Sequence, residues 1–194
     1  MPEESVIEFS FMRIAIISDT HDNLTNIDTF LAWEKNNPVD ALIHCGDVTA
    51  RETLNYLATK FTKNIFLSFG NSDFDRDGLS EEEDDFKNLR ILDEGEFLSI
   101  TEQIKVLENS AVQKKSGESR IAFLHYPIEA KVLARSGFYD WVFYGHTHKP
   151  WLEKVNQTNF ANAGNLANVF YPPSFAVLDT ETNELKLQLL NNLR

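Results

Sequence analysis

Short apolar runs in this chain repeatedly end in residues that ligate metals. Ile14-Ala15-Ile16-Ile17 leads into Asp19-Thr20-His21, and Ala41-Leu42-Ile43 into His44-Cys45-Gly46-Asp47. Ile65-Phe66-Leu67 leads to Gly70-Asn71-Ser72-Asp73, Ile121-Ala122-Phe123-Leu124 to His125, and Trp141-Val142-Phe143-Tyr144 to Gly145-His146-Thr147-His148. Carboxylates, a carboxamide and neutral imidazoles together suit manganese, iron, zinc, nickel or cobalt, whereas magnesium alone would need fewer histidines. Two adjacent cations require a carboxylate between them to offset their repulsion, and such a pair can hold a hydroxide and clamp a phosphoryl group in line. Asp47, which follows Gly46 in a tight loop, is the natural bridge.

The elements that must position these residues follow from the apolar pattern. A short β-branched run such as 14–17 reads as a strand buried on both faces of a sheet. Asp19 and His21 cannot continue into an apolar core without partners, so they emerge in a loop at the carboxyl end of the strand, where open α/β sheets gather their sites. A helix over about 24–36, capped by Asp22 or Asn23, buries Leu24, Ile27, Phe30 and Leu31 and ends at Asn36-Asn37-Pro38. A strand over 40–43, a helix over 51–60 with Leu54, Leu57, Ala58 and Phe61 inward, and a strand over 64–69 complete an alternation that predicts a parallel sheet. Residues 73–87 are strongly acidic. Ser80 followed by carboxylates predicts a solvated helix start, with a lid near the metals as the sharper reading. The Asp73, Asp75, Asp77, Gly78 spacing matches the start of a calcium loop, but Asp84 stands where its glutamate should be, which excludes that reading.

From 89 to 124 the pattern becomes alternating. It predicts antiparallel strands at 89–92, 96–100, 104–107 and 120–124, with turns at 93–95 and 116–118. A helix over 128–135 would turn Ile128, Val132 and Leu133 inward and end at Gly137. Hairpins follow, from 151–155, 158–161, 174–179 and 184–190. The predicted fold class is α/β: two packed mixed β-sheets flanked by helices, with residues 1–11 an extension that pairs at a sheet edge and 12–194 a single domain.

Composition bounds the function. The 194 residues suffice for one sizeable core, and 18 Lys and Arg against 30 Asp and Glu give a formal charge of −12. That charge opposes nonspecific nucleic-acid binding and anionic membranes, so a phosphate-bearing substrate must be held locally, as bound cations would do. Cys45 is the single cysteine, so no intramolecular disulfide forms. No apolar stretch approaches the ~18 residues of a membrane span, and the start of the chain lacks the basic and apolar regions of a signal peptide. A cytoplasmic chain is the expectation.

Asp19-Thr20-His21, Gly46-Asp47, Gly70-Asn71, His125 and Gly145-His146-Thr147-His148, in this order, resemble the calcineurin-like metallophosphoesterase superfamily over about residues 13–190. The small size, Ser72-Asp73 after Asn71, and Asn162-Ala163-Gly164-Asn165 look like its compact bacterial and archaeal phosphodiesterases, related to the retromer subunit Vps29. The resemblance implies an α/β/β/α sandwich and a metal-dependent phosphoric ester hydrolase. It implies one metal on Asp19, His21, Asp47 and His148, and a second on Asp47, Asn71, His125 and His146, with Asp47 shared. Manganese is the first expectation for both cations. His44 is left to orient the Asp47 loop, and Cys45 to fill space.

Two departures narrow this. Many superfamily members have a histidine after the asparagine that protonates the leaving alkoxide, and an aspartate that orients it; this chain has Ser72 and Ala50. Leaving groups that need little protonation are therefore favoured, as in the compact subgroup. At His125-Tyr126-Pro127 the subgroup usually has glycine and histidine, so Tyr126 either packs or stacks on a substrate ring. The expected reaction is attack on phosphorus by a hydroxide between the metals, with Asp47 as bridge and Asn71 and His146 steadying the non-bridging oxygens, on a small phosphodiester. The alternatives are a small-molecule phosphomonoesterase and a non-catalytic Vps29-like scaffold that recruits partner proteins. Phe170, Tyr171 and other aromatics offer a contact patch for a homo-oligomer.

Overall fold

The computed structural model describes residues 8–9, 12–92 and 119–193. Its first stretch runs β1 (Glu8–Phe9), β2 (Arg13–Ile17), α1 (Leu24–Asn36), β3 (Ala41–His44), α2 (Arg51–Lys60), β4 (Asn64–Ser68), α3 (Arg76–Asp85) and β5 (Leu89–Leu92). The second runs β6 (Ser119–Leu124), α4 (Pro127–Ser136), β7 (Trp141–Tyr144), β8 (Trp151–Val155), β9 (Thr158–Asn162), β10 (Ser174–Asp179), β11 (Glu184–Leu189) and a 3-10 turn at Leu190–Asn192. Two mixed sheets result, a six-stranded one in the order β11-β10-β2-β3-β4-β5 and a five-stranded one in the order β1-β6-β7-β9-β8.

The alternation of each strand divides the molecule into layers. Ile14 and Ile16 of β2 point between the sheets, with Ala41 and Ile43, to meet Ile121, Phe123, Trp141 and Phe143. Ala15 and Ile17 point the other way, onto Ile27 and Phe30 of α1 and Leu54 and Leu57 of α2. On the far side α4 covers Ala122, Leu124, Val142 and Tyr144. The order is helix, sheet, sheet, helix, as predicted. Among the described residues no helix is long and apolar enough to cross a membrane.

Several local expectations are corrected. The strands at 89–92 and 120–124 are not antiparallel to their neighbours: β5 runs parallel to β4, and β6 parallel to β7. Each is joined to its partner by a crossover helix, α3 or α4, and side-chain alternation is the same in either direction. Antiparallel pairing of β6 is confined to β1, which lies at the sheet edge as expected of the extension. The two late hairpins form, β8 with β9 and β10 with β11. The predicted strands at 96–100 and 104–107, and the turns at 93–95 and 116–118, lie outside the described residues.

Helix ends and faces also shift. Asn23 caps α1 through Asn26 N, and Leu24 is exposed while Asn26 takes the inward place, donating to Leu166 O. Asp75, not Ser80, caps α3, which then begins five residues earlier. The helix is fastened to α2, where Arg51 holds Glu81 and Glu82 and Asn55 donates to Glu82. In α4 the buried positions are Ala130, Leu133 and Ala134, whereas Ile128 and Val132 face solvent; Gly137 ends the helix as expected.

Candidate metal centre

Every predicted ligand residue sits just past the carboxyl end of a parallel strand, in loops gathered at one end of the sandwich. Asp19 and His21 follow β2, Asp47 follows β3, and Asn71 follows β4. His125 follows β6, and His146 and His148 follow β7. The loops are stitched together by their backbones, with Asp19 N donating to Gly46 O at 2.9 Å, His21 N to Asp47 O at 3.1 Å and Gly145 N to His125 O at 3.0 Å. Five of these residues have positive φ: Asp19 (51°), His21 (39°), Asp47 (58°), His146 (66°) and His148 (59°). Side chains rarely adopt that region, and such strain concentrates at functional sites.

The backbone crowds around Asp47. A Cβ on Gly70 would lie 2.6 Å from Asp47 N and run into its carboxylate, and one on Gly46, itself at φ 89°, would lie 2.7 Å from His125 Nδ1. Only glycine allows these approaches.

Within this frame the ligand atoms converge. Asp19, His21 and His148 place one ligand atom each within 4.8 Å of one another, and so do Asp19, Asp47 and His125. Asp47 turns its two oxygens to different histidines: Oδ2 lies 3.4 Å from His21 Nε2 and Oδ1 3.6 Å from His125 Nε2. His148 Nε2 lies 3.2 Å from Asp19 Oδ1, and Asn71 Oδ1 lies 3.0 Å from His125 Nε2 and 2.7 Å from His146 Nδ1. The structure thus brings all seven predicted residues together. His21 and His148 form one side, Asn71, His125 and His146 the other, with the two aspartates between.

The ring orientations show which nitrogens enter the cluster. A carbonyl only accepts, so His125 donates Nδ1–H to Cys45 O at 2.8 Å, which turns Nε2 toward the other candidate ligands. That nitrogen faces Asn71 Oδ1, Asp47 Oδ1 and, at 3.2 Å, His146 Nδ1. His148 likewise donates Nδ1–H to Val169 O at 3.3 Å and turns Nε2 to Asp19. Its hydrogen bond to that carboxylate pushes the imidazole pKa up, because the pocket favours positive charge. Ring nitrogens thus face carboxylate and carboxamide oxygens across one cluster, the donor set that a bound cation would meet. Carboxylate, carboxamide and imidazole donors fit divalent transition metals.

A second layer holds the ligands. Asp73 is buried, and its carboxylate accepts from Asp47 N at 2.9 Å, Thr49 N at 2.7 Å and Gly70 N at 2.7 Å, tying the β3 and β4 loops together. Ser72 donates to both Asp47 oxygens, from N at 2.7 Å and Oγ at 3.0 Å. Asp22 accepts from Ala50 N and Thr53 Oγ1, tying the β2 loop to the start of α2. Asn162 and Asn165 brace the histidine loop, donating to Gly145 O at 2.8 Å and His148 O at 3.1 Å. His44 has the predicted place: its Nδ1 accepts from Gly46 N at 3.2 Å, so Nε2–H donates to Thr20 Oγ1 at 3.1 Å, and that hydroxyl donates to Asp47 O. Burial lowers its pKa to about 4 and keeps it neutral in this role. Cys45 is buried with its thiol pKa pushed up, which removes it as a nucleophile. The acidic run that follows Asp73 concealed its part in the sequence.

Residues 12–183 match the model of the calcineurin-like phosphoesterase superfamily domain. The chain belongs to this family. It is 30% identical over 177 residues to phosphodiesterase MJ0936 of Methanocaldococcus jannaschii, covering 90% of this chain and 97% of that one. A solved structure described as a novel archaeal phosphodiesterase superposes with a TM-score of 0.74 at 27% identity, covering 92% of this chain and 99% of the other. Vps29 of Entamoeba histolytica, a single mutant, shares the fold with a TM-score of 0.56 at 19% identity, over 91% of this chain and 90% of that one. Family membership makes this metallophosphoesterase a phosphoric ester hydrolase, and its cluster of candidate ligands suits the metal dependence of the family.

Proposed function

We propose that this metallophosphoesterase is a phosphodiesterase that works with two divalent transition cations, manganese first among manganese, nickel, iron, zinc and cobalt, in a cytoplasmic setting. Asp19, His21, Asp47 and His148 would hold one cation, and Asp47, Asn71, His125 and His146 the other. The observation that carries this reading is Asp47, whose two carboxylate oxygens face histidines of opposite sets. Bound there, the cations supply an acidified water as nucleophile and neutralise the charge of the phosphoryl oxygens.

The chain's own residues do the rest. Asp73, Ser72 and His44 fix the Asp47 loop before substrate arrives, so little reorganisation accompanies the reaction. His146 turns Nδ1 into the ligand cluster and stands exposed, which leaves Nε2 to meet a non-bridging oxygen; Asn71, also exposed, has its carboxamide nitrogen for the same purpose. Ser72 stands where the family's usual proton donor would, and a hydroxyl is too weak an acid for that step. Esters with good leaving groups, aryl diesters among them, are therefore turned over best, the departing oxygen taking its proton from solvent.

Asp47→Asn tests the assignment. Turnover of bis(p-nitrophenyl) phosphate should fall by about three orders of magnitude, and elemental analysis should show fewer than two metals per chain while circular dichroism is unchanged. Undiminished turnover in a metal-verified sample would refute the bridge. Rates on p-nitrophenyl phosphate measured alongside separate a diesterase from a monoesterase.

A further inference from the structure

Phe170, in the loop between β9 and β10, has no part in the core. Its side chain is 89% exposed and its backbone lies at φ 64°. A bulky residue there bears both left-handed strain and apolar exposure, and among the described residues its ring contact is with His148. The loop is nevertheless firmly held. Asn165 donates to His148 O at 3.1 Å and Tyr171 O at 3.3 Å and accepts from Val169 N at 3.2 Å, while Val169 O accepts from His148 Nδ1. Phe170 is therefore fixed in position relative to His148, with ring centroids 5.8 Å apart and planes tilted by 53°. At the other set of ligands Tyr126 lies 5.4 Å from the His146 ring and 5.0 Å from the His125 ring. Aromatic rings thus border the metal centre on both sides.

We infer that Phe170 is a stacking platform for an aromatic group carried by the phosphoester substrate, a nucleobase or a simple aryl ring. The inference rests on the phosphoester reading of the centre and goes further by naming what is esterified. The Phe170 ring lies 5.8 Å from the ring of His148, a candidate ligand, so the substituent of a phosphoester bound at these residues would have that ring within reach. A chain of net charge −12 adds little long-range attraction for phosphate, so affinity beyond the cations must come from uncharged contacts, of which ring stacking is the strongest on offer here. Stacking also tolerates different rings, since each has a π-face. A loop serving only to dock a partner protein would have no need of hydrogen bonds to a metal ligand.

Calorimetric titration of the metal-loaded full chain with AMP, phenyl phosphate, ribose 5-phosphate and inorganic phosphate tests this without relying on turnover. AMP and phenyl phosphate should bind about tenfold more tightly than ribose 5-phosphate, as expected for one stacked ring. Phe170→Ala should abolish that preference and leave ribose 5-phosphate affinity unchanged, Phe170→Trp should keep it, and Phe170→Leu should lose it. AMP ahead of phenyl phosphate assigns a nucleobase, and the reverse order a simple aryl group. A preference that survives Phe170→Ala, or that leucine supports as well as tryptophan, overturns the inference. Failure of every phosphate to bind sinks the phosphoester reading itself.

Discussion

Asp73 shows how a carboxylate distant from the reacting atoms can set their geometry. Its Oδ2 accepts from Asp47 N and Gly70 N and its Oδ1 from Thr49 N, so two loops take their spacing from one side chain. Asparagine has nearly the same shape, but its amide nitrogen would point N–H at N–H on one side and leave a buried donor without an acceptor, at about 1–3 kcal/mol. Asp73→Asn should lower the urea unfolding free energy by that amount and weaken metal affinity by about 10- to 100-fold, because Asp47 would no longer be held. Manganese titration of the variant checks both expectations, and wild-type affinity would remove Asp73 from the positioning role. The convergence of the candidate ligands was legible in the sequence, since polar residues after buried strands have few places to go. The role of Asp73 was not: two of its three backbone partners are amides 26 and 24 residues away, which no side-chain pattern records.

Helix α4 carries the same lesson at the scale of an element. Its end follows from Gly137, but side-chain bulk does not identify its inward face. Ala130, Leu133 and Ala134 keep the i, i+3, i+4 phase, and the two alanines let the helix backbone lie close over Ala122, Val142 and Phe160. Ile128 and Val132 belong to a second stripe in solvent. Ala134→Leu should therefore overpack the contact and cost about 1–3 kcal/mol, whereas Ile128→Ala should change stability by no more than about 0.5 kcal/mol despite removing the larger side chain. Urea denaturation midpoints of the two variants measure the contrast, and the opposite order would mean that the helix is rotated. The parallel direction of β5 and β6 was hidden for a related reason. Alternation reports which face of a strand is buried, not which way its neighbour runs.

Across the whole molecule the centre joins the two sheets. Asp19, His21, Asp47 and Asn71 extend from strands of the six-stranded sheet, and His125, His146 and His148 from strands of the five-stranded one. The order of strands within each sheet was beyond the sequence, because it depends on pairings between distant segments such as β2 with β10. What the sequence did carry was the demand that all these strand ends meet. Cations held there act as a cross-link between layers otherwise joined by the apolar contacts of Ile14, Ile16, Phe123 and Phe143. Cations would also offset the charge of Asp19 and Asp47, two buried carboxylates that stand together in a chain of net charge −12. Metal that binds only the folded state adds about 2.7 kcal/mol per site at a hundredfold excess over its dissociation constant. In a chain of this length each kcal/mol moves the melting temperature by about 2–4 °C. Chelation should accordingly lower Tm by about 5–10 °C for each site emptied, and His125→Ala, which removes a proposed ligand of one set, should retain only the part due to the other set. Thermal melts with and without EDTA on metal-verified protein measure this, and a Tm indifferent to chelation would mean that the ions do not bridge the sheets.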